Sequence, residues 1–265
     1  MAAHFRRLSM ALVIASPLAA PVRAQAVEYP AGTTKYLVTT SAKGSQSSPA
    51  GSQSFEIALR EQVSVELMKH AKDTVMATMT IDSIAISSSA GPAPDVSAAK
   101  GAKFVNFMSP TGKVYSSRPP AGMDPMAAQV TEGIGRFLPA YRSNLSKGMT
   151  WSDTTIGKVS QQGMEMDRTV VANYTVAGDT TIAGRRALRV NRITTTKASG
   201  SGNAQGTPLV METIGNGSGM FFLTPKGAYL GTTSTDEVTS KITVLAQNVE
   251  IAVKQTVQTT VEAIK

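Results

Sequence analysis

Near its C-terminus the chain alternates. Val249, Ile251, Val253, Val257 and Val261 fall on one parity, while Glu250, Lys254, Thr256, Gln258, Thr260 and Glu262 fall on the other. Period two is the signature of a strand with one buried face. A strand of about sixteen residues spans about 50 Å at roughly 3.3 Å per residue, whereas most strands stop after about five or six. Strands this long must twist and coil. The chain is therefore expected to be mainly β. The expected fold is a long, strongly curved antiparallel sheet of half-barrel or clam-like shape, with an apolar concave face.

Two other stretches carry the same pattern. Phe55, Ile57, Leu59, Val63, Val65 and Leu67 share one face, opposite Glu56, Arg60, Gln62, Ser64 and Glu66. Glu61 interrupts the apolar face, which predicts a bulge or bend there. Val75, Ala77, Met79 and Ile81 alternate in turn. The phase then changes at Asp82-Ser83 before Ile84 and Ile86, again predicting a bulge or turn. Lys69 to Asp73 would join these two strands. Tyr36 to Thr40 reads as the first strand, and Ser240 to Ala246 as the strand before the last, with Gln247-Asn248 as the turn between. Residues 42 to 52 and 87 to 101 are rich in small and polar residues and are expected to be loops.

One turn motif occurs twice. Phe107-Met108-Ser109-Pro110-Thr111-Gly112-Lys113-Val114 and Phe222-Leu223-Thr224-Pro225-Lys226-Gly227-Ala228-Tyr229 both read aromatic, long apolar, hydroxyl, Pro, any residue, Gly, any residue, β-former. Pro presets φ early in a turn and Gly accepts positive φ near its end. The repeat divides the chain into two related β units, 27–121 and 140–265, forming one continuous domain. True duplication and a turn used twice both remain open on this evidence.

Between the units, residues 122–139 are expected to form a short covering helix. Asp124 is a good N-cap and Pro125 fits the first helical position. Met126, Val130, Ile134, Phe137 and Leu138 recur at helical spacing, Gly133 and Gly135 weaken the helix, and Pro139 ends it. The second unit continues with strands at Met149–Val159 and Met166–Val176, with Val170, Ala172, Tyr174 and Val176 or their neighbours inward. A turn follows at 181–186. The next strand, Ala187–Thr195, is expected to shift phase between Val190 and Ile193. Residues 197–206 and 215–219 are expected to be Gly-rich loops.

Residues 1–26 have the form of a secretory signal peptide. His4, Arg6 and Arg7 are basic, Leu8 to Leu18 is a short apolar run, and Ala24-Gln25-Ala26 offers a small-x-small cleavage site. The run is too short, and too broken by Pro17 and Pro21, to cross a membrane. The chain has no cysteine, so neither disulfides nor an N-terminal lipid anchor on cysteine is expected. These features predict a bacterial periplasmic or secreted protein. Removal of the leader would lower the formal net charge from +8 to +5, with the remaining basic residues scattered, which argues against nucleic acid. An outer-membrane barrel needs aromatic girdles. With 5% aromatic residues, one tryptophan and polar outward positions on its best strand, this chain is not expected to span a membrane.

No residue is assigned a catalytic, cofactor-binding or metal role. His70 is the one histidine after the leader and sits between lysines in an expected turn, without partners for a triad or metal site. Glu165 and Asp167 would share a strand face, which could place two carboxylates for acid-base work, but a polar outer face accounts for them better. Asp236-Glu237 is read as a turn. The glycines at 200, 202, 206, 215, 217 and 219 lack the Lys-Ser/Thr and helix that a phosphate cradle requires. Met68, Met76, Met79, Met108, Met211 and Met220 lie on or beside expected strands. They fit core filling more readily than ligand lining.

The middle of the chain resembles the DUF6263-like group of uncharacterised bacterial exported proteins. The resemblance is carried by Leu138-Pro139, by Leu145-Ser146-Lys147-Gly148-Met149-Thr150-Trp151, by Tyr174, and by Gly184-Arg185-Arg186-Ala187-Leu188-Arg189-Val190. It covers roughly residues 137 to 193. It implies a mostly β extracytoplasmic domain and brings no catalytic residues with it. Gly148 and Trp151 read physically as a turn followed by a bulky core anchor. The expected function is non-enzymatic, namely binding of a lipid-like or other apolar ligand on the concave face, in an architecture similar to lipoprotein-carrier-like folds. An envelope interaction or scaffold protein with a filled core is the alternative, and a carboxylate-based hydrolase the third reading. An apolar small molecule, a lipid or another envelope protein is the expected partner. The lining residues of such a site are not legible in the sequence.

Overall fold

The computed structural model describes residues 27–123, 125–161, 164–204 and 206–264. The signal-peptide reading, and Asp124 as N-cap, lie outside the described residues. Among the described residues there are eleven strands: β1 (Gly32–Ser48), β2 (Gly51–Ala71), β3 (Thr74–Ser88), β4 (Lys103–Met108), β5 (Val114–Arg118), β6 (Thr150–Gln161), β7 (Met164–Ile182), β8 (Arg185–Ala204), β9 (Thr207–Leu223), β10 (Tyr229–Val244) and β11 (Val249–Ile264). They make one antiparallel sheet in the order β5-β4-β3-β2-β1-β11-β10-β9-β8-β7-β6. Two meanders thus meet where β1 pairs with β11, with Val38 opposite Val261. The edge strands β5 and β6 do not pair with each other, so the sheet is open.

This topology dictates the position of the connecting segment. Residues 119–149 must travel from one edge of the sheet to the other, and they do so across its inner face. Ala127, Ile134, Leu138 and Tyr141 from this segment share one core with Val63, Val65, Met79, Met108, Val176, Val190, Phe221 and Leu223 from the strands. The expected helix over 124–138 is shorter than the sequence predicts. An α-helix, α1 (Pro125–Val130), gives way to a 3-10 turn over Glu132–Arg136. Gly133 and Gly135 sit inside that turn, where glycine's backbone freedom disfavours a continued α-helix. Ala127 of α1 and Ile134 of the 3-10 turn pack into the core on the inner face.

The two Ser/Thr-Pro-x-Gly turns are the same object. Ser109 N–H donates to Lys113 O (2.8 Å) and Gly112 N–H to Ser109 O (3.0 Å); Thr224 N–H donates to Ala228 O (2.8 Å) and Gly227 N–H to Thr224 O (2.9 Å). In both, the hydroxyl accepts from the backbone four residues on, Lys113 N–H to Ser109 Oγ and Ala228 N–H to Thr224 Oγ1, each at 3.0 Å. Gly112 and Gly227 both have φ of 90°. Both turns lie at the capped end and are tied there by the N-terminal segment. Tyr29 N–H donates to Pro110 O (2.8 Å), and a Cβ on Gly227 would collide with the Glu28 backbone.

The expected loops at 42–52, 197–206 and 215–219 are largely strand instead: residues 42–48 belong to β1 and 51–52 to β2, with the reversal at Pro49-Ala50, residues 197–204 belong to β8 and 215–219 to β9. Each of these segments is flanked on both sides by a long partner, so its backbone groups complete two ladders whatever its side chains prefer. In the 87–101 stretch, β3 continues to Ser88 and a 3-10 turn occupies Ser97–Ala99, with Val96 and Ala99 buried. The predicted bulge at Asp82-Ser83 is present. Gln62 pairs with Ser83 and Val63 with Ile81, leaving Asp82 as the extra residue, and Ser64 Oγ donates to its Oδ2 at 2.6 Å. No phase shift follows Val190. Ile193 stays on the outer face, 62% exposed, because the register irregularity lies on β7, between Val176 and Gly178.

Candidate functional site

Antiparallel register partners point to the same side, so cross-strand rows map the inner face. One row reads Ile84, Glu61, Val38, Val261, Thr232, Phe221, Val190 and Val176 from β3 to β7. The next row outward reads Ile86, Leu59, Thr40, Thr259, Ser234, Gly219, Arg192, Tyr174 and Trp151. The row beyond it reads Ser88, Ile57, Ala42, Val257, Asp236, Gly217, Thr194, Ala172 and Asp153.

Burial changes along these rows. On β2, Leu67, Val65, Val63 and Glu61 are buried, and Leu59, Ile57 and Phe55 are half-buried. On β3, Val75 to Ile81 are buried at alternate positions and Ile84 and Ile86 half-buried. On β11, Val261 is buried, whereas Val257, Val253 and Ile251 are half-buried. Beyond the first row the inner face is half-buried and apolar on β3, β2 and β11, whereas on the other side Trp151, Ala172, Met164, Met166, Met211 and Ser240 are buried and Arg142 of the crossing segment reaches Asp153.

The other wall is mixed. The Trp151 and Tyr174 rings stack with centroids 4.8 Å apart and planes 13° from parallel. Tyr174 also meets Phe221 edge-on at 6.2 Å. Burial pushes the Tyr174 phenol up, Arg192 works against the shift and Asp153 adds to it. Arg142, on the crossing segment, pairs with Asp153 at 3.8 Å. The expectation that Trp151 anchors the core after a turn at Gly148 holds. Trp151 is 8% exposed, and Gly148, at φ 84°, donates its N–H to Val176 O at 2.8 Å.

The inward-facing glycines shape the floor. A Cβ on Gly200 would strike the Glu165 carbonyl and Met166, one on Gly219 the Thr233 carbonyl and Ser234, and one on Gly44 the Lys254 carbonyl and Phe55. These positions let adjacent strands bend inward more tightly than any side chain would permit. At the far tip, Met164, Met166 and Met211 form a separate buried cluster with Val159, Leu209 and Ile242.

Glu61 is the feature least expected of this face. It is 3% exposed, and its Oε1 is buried without a hydrogen-bond partner. Burial pushes its carboxyl up to about 7. It does not kink the strand. It keeps the inward parity of β2, and the bulge is on β3 opposite the next pair.

The other residues singled out in the sequence do not converge. His70 is exposed near the end of β2, edge-on to Phe107 at 5.0 Å. Glu165 and Asp167 lie exposed on the outer face of β7, as expected. Asp236 and Glu237 are not in a turn. They lie within β10, Asp236 inward and Glu237 outward. Of the six methionines, Met79, Met108 and Met211 are buried. Met68 and Met76 face each other on the outer side, and Met220 is also outward. Among the described residues no group of three or more His, Asp or Glu could hold a metal ion. A hollow of about 130 Å³ lies beside Tyr29, Tyr36, Leu67 and Tyr229 at the capped end. A shallow depression of about 580 Å³ is lined largely by outer-face residues of β8 to β11, including Asn191, Ile193, Met220 and Gln258.

No family model matches the chain, and no curated protein matches it. Solved structures that align with it include Neisserial surface protein A, at 10% identity over 88% of this chain and 99% of that one, with a TM-score of 0.23. An outer membrane channel from Pseudomonas putida F1 aligns at 7% identity over 92% and 99%, with a TM-score of 0.32. A domain described as a lipoprotein-sorting protein of the outer membrane, from Vibrio parahaemolyticus, aligns at 12% identity over 88% and 84%, with a TM-score of 0.17. At these scores the alignments carry no argument, and function must be argued from the chain's own residues. Among the described residues no helix is long and apolar enough to cross a membrane.

Proposed function

We propose that this is a non-enzymatic protein of the bacterial envelope that holds an apolar, lipid-like chain lengthwise in its trough. The observation that carries the reading is the half-buried apolar wall of Leu59, Ile57, Phe55, Ile84, Ile86, Val257 and Val253 beyond the capped end. A folded chain leaves few contiguous apolar surfaces half exposed, and those it leaves mark interaction sites. Alternate positions on the opposite face are polar and exposed, as at Glu165, Asp167, Lys197 and Glu237, which supports a sheet whose outside faces water rather than lipid. The N-terminal leader pattern and the lack of cysteine support export.

A second reading, an envelope scaffold, draws on the hollows. Neither the 130 Å³ hollow nor the outer depression is an enclosed apolar cavity. Mass spectrometry of the protein purified under native conditions from its own envelope separates the two. Stoichiometric acyl-chain adducts, lost on delipidation and regained on adding lipid, are expected. A lipid-free protein that takes up no acyl chain would favour the scaffold.

A further inference from the structure

We propose that Glu61 is the head-group receptor of the trough, its carboxyl accepting a hydrogen bond from a hydroxyl or amide N–H of a neutral amphiphile whose tail lies along Leu59, Ile57 and Val257. The assignment rests on the reading that the trough holds an apolar chain, and it names which chain. Glu61 stands at the frontier. It is the last buried inward residue of β2 before the half-buried Leu59, so a head group whose tail lies along the half-buried positions meets it where the packed core begins. Its carboxyl Oε1 is buried and unpartnered, and a buried acceptor left unsatisfied is destabilising. A ligand donor would remove that penalty.

The surroundings select the class of head group. The row partners of Glu61 are Ile84 and Val38, followed by Val261, all apolar. Towards the core the next inward position of β1 is Tyr36, whose hydroxyl is already donated to Tyr229 O at 3.1 Å. Arg192 lies in the next row outward, five strands away across the sheet. Among the described residues, no residue in the Glu61 row is a cation that would receive a phosphate or carboxylate head. A hydroxyl or amide N–H would meet a free acceptor there.

The test is displacement of a fluorescent long-chain acyl probe from the full-length mature protein by two ligands of equal chain length. A monoacylglycerol carries hydroxyl donors, and the fatty acid methyl ester carries none. The monoacylglycerol is expected to bind about tenfold more tightly, the scale of one hydrogen bond to a charged or buried acceptor. In Glu61→Leu the preference should fall below twofold while methyl ester binding persists. Glu61→Gln, which keeps a carbonyl acceptor and the side-chain shape, should retain a reduced preference and serves if the leucine variant does not fold. Equal binding of the two ligands to the wild-type protein, or an undiminished preference in Glu61→Leu, overturns the assignment of Glu61 and leaves the trough as a binding face. Failure of both ligands to displace the probe, together with failure of the probe itself to bind, overturns the trough reading and this assignment with it.

Discussion

The carboxylate of Asp236 occupies the space that a side chain at Gly217 would fill. The two residues are register partners on β10 and β9. Thr194, the partner of Gly217 on the other side, donates its hydroxyl to Asp236 Oδ1 at 3.5 Å. A Cβ at 217 would collide with both side chains. Gly217→Ala is therefore expected to destabilise the protein by about 1–3 kcal/mol, the usual cost of overpacking. Adding Asp236→Ala should recover part of that loss, because it empties the space. Urea unfolding of the two variants checks this. Equal stability of Gly217→Ala and the wild type would show that the Asp236 and Thr194 side chains move aside without cost.

The paired turns make a comparative prediction. Ser109→Ala and Thr224→Val each remove one hydroxyl-to-backbone hydrogen bond of 3.0 Å, and each should cost about 1 kcal/mol. Gly227→Ala should cost more than Gly148→Ala. Both glycines have positive φ, but a Cβ at 227 meets the Glu28 backbone, whereas one at 148 meets nothing within 4 Å. Thermal melts of the four variants give the order.

Much of this was legible because period two survives wherever one face of a strand is buried. The alternation on β2, β3 and β11 gave the strands, their inward residues and the bulge at Asp82. The duplicated turn motif fixed two hairpins to the residue. What the sequence hid was strand made of loop-like residues. Gly200, Gly215, Gly217 and Gly219 read as flexible linkers in isolation, yet all fall on the inward parity of β8 and β9, and at Gly200, Gly217 and Gly219 a Cβ would collide with the neighbouring strand. Their spacing of two was the available signal. Glu61 was visible as a break in an apolar face, but a break can mean a bulge or a buried acid, and only the register distinguishes them. Arg192 came inward for a similar reason, since the expected shift to Ile193 does not occur.

Trp151 and Tyr174 should be energetically coupled. Trp151→Ala alone should cost about 3–5 kcal/mol as a large aromatic truncation. A double-mutant cycle with Tyr174→Leu should return a coupling of about 0.5–1.5 kcal/mol for the stacked pair. A coupling of zero by chemical denaturation would mean the rings do not stack in solution.

Glu61 sets a pH dependence with a definite sign. Its carboxyl titrates near 7 in the folded protein, against about 4.3 for a free glutamate. The folded state therefore holds the proton more tightly, and stability is lost as pH rises between these two values. The total is of the order of 4 kcal/mol, taking 1.36 kcal/mol per pKa unit. Glu61→Gln removes this contribution, so the difference in stability between variant and wild type should grow from pH 4.5 to pH 7.5 and then level off. A constant difference across that range would place Glu61 in contact with water.

The central claim is that the inner face beyond the capped end receives an apolar chain. Photo-cross-linking with a diazirine-bearing acyl chain, followed by peptide mapping, tests it most directly. The account predicts adducts concentrated on inward residues of β2, β3 and β11, at Leu59, Ile57, Ile86 and Val257. Adducts on the exposed outer residues Ile156, Ile193 and Ile214, or labelling no higher than in denatured protein, would contradict it.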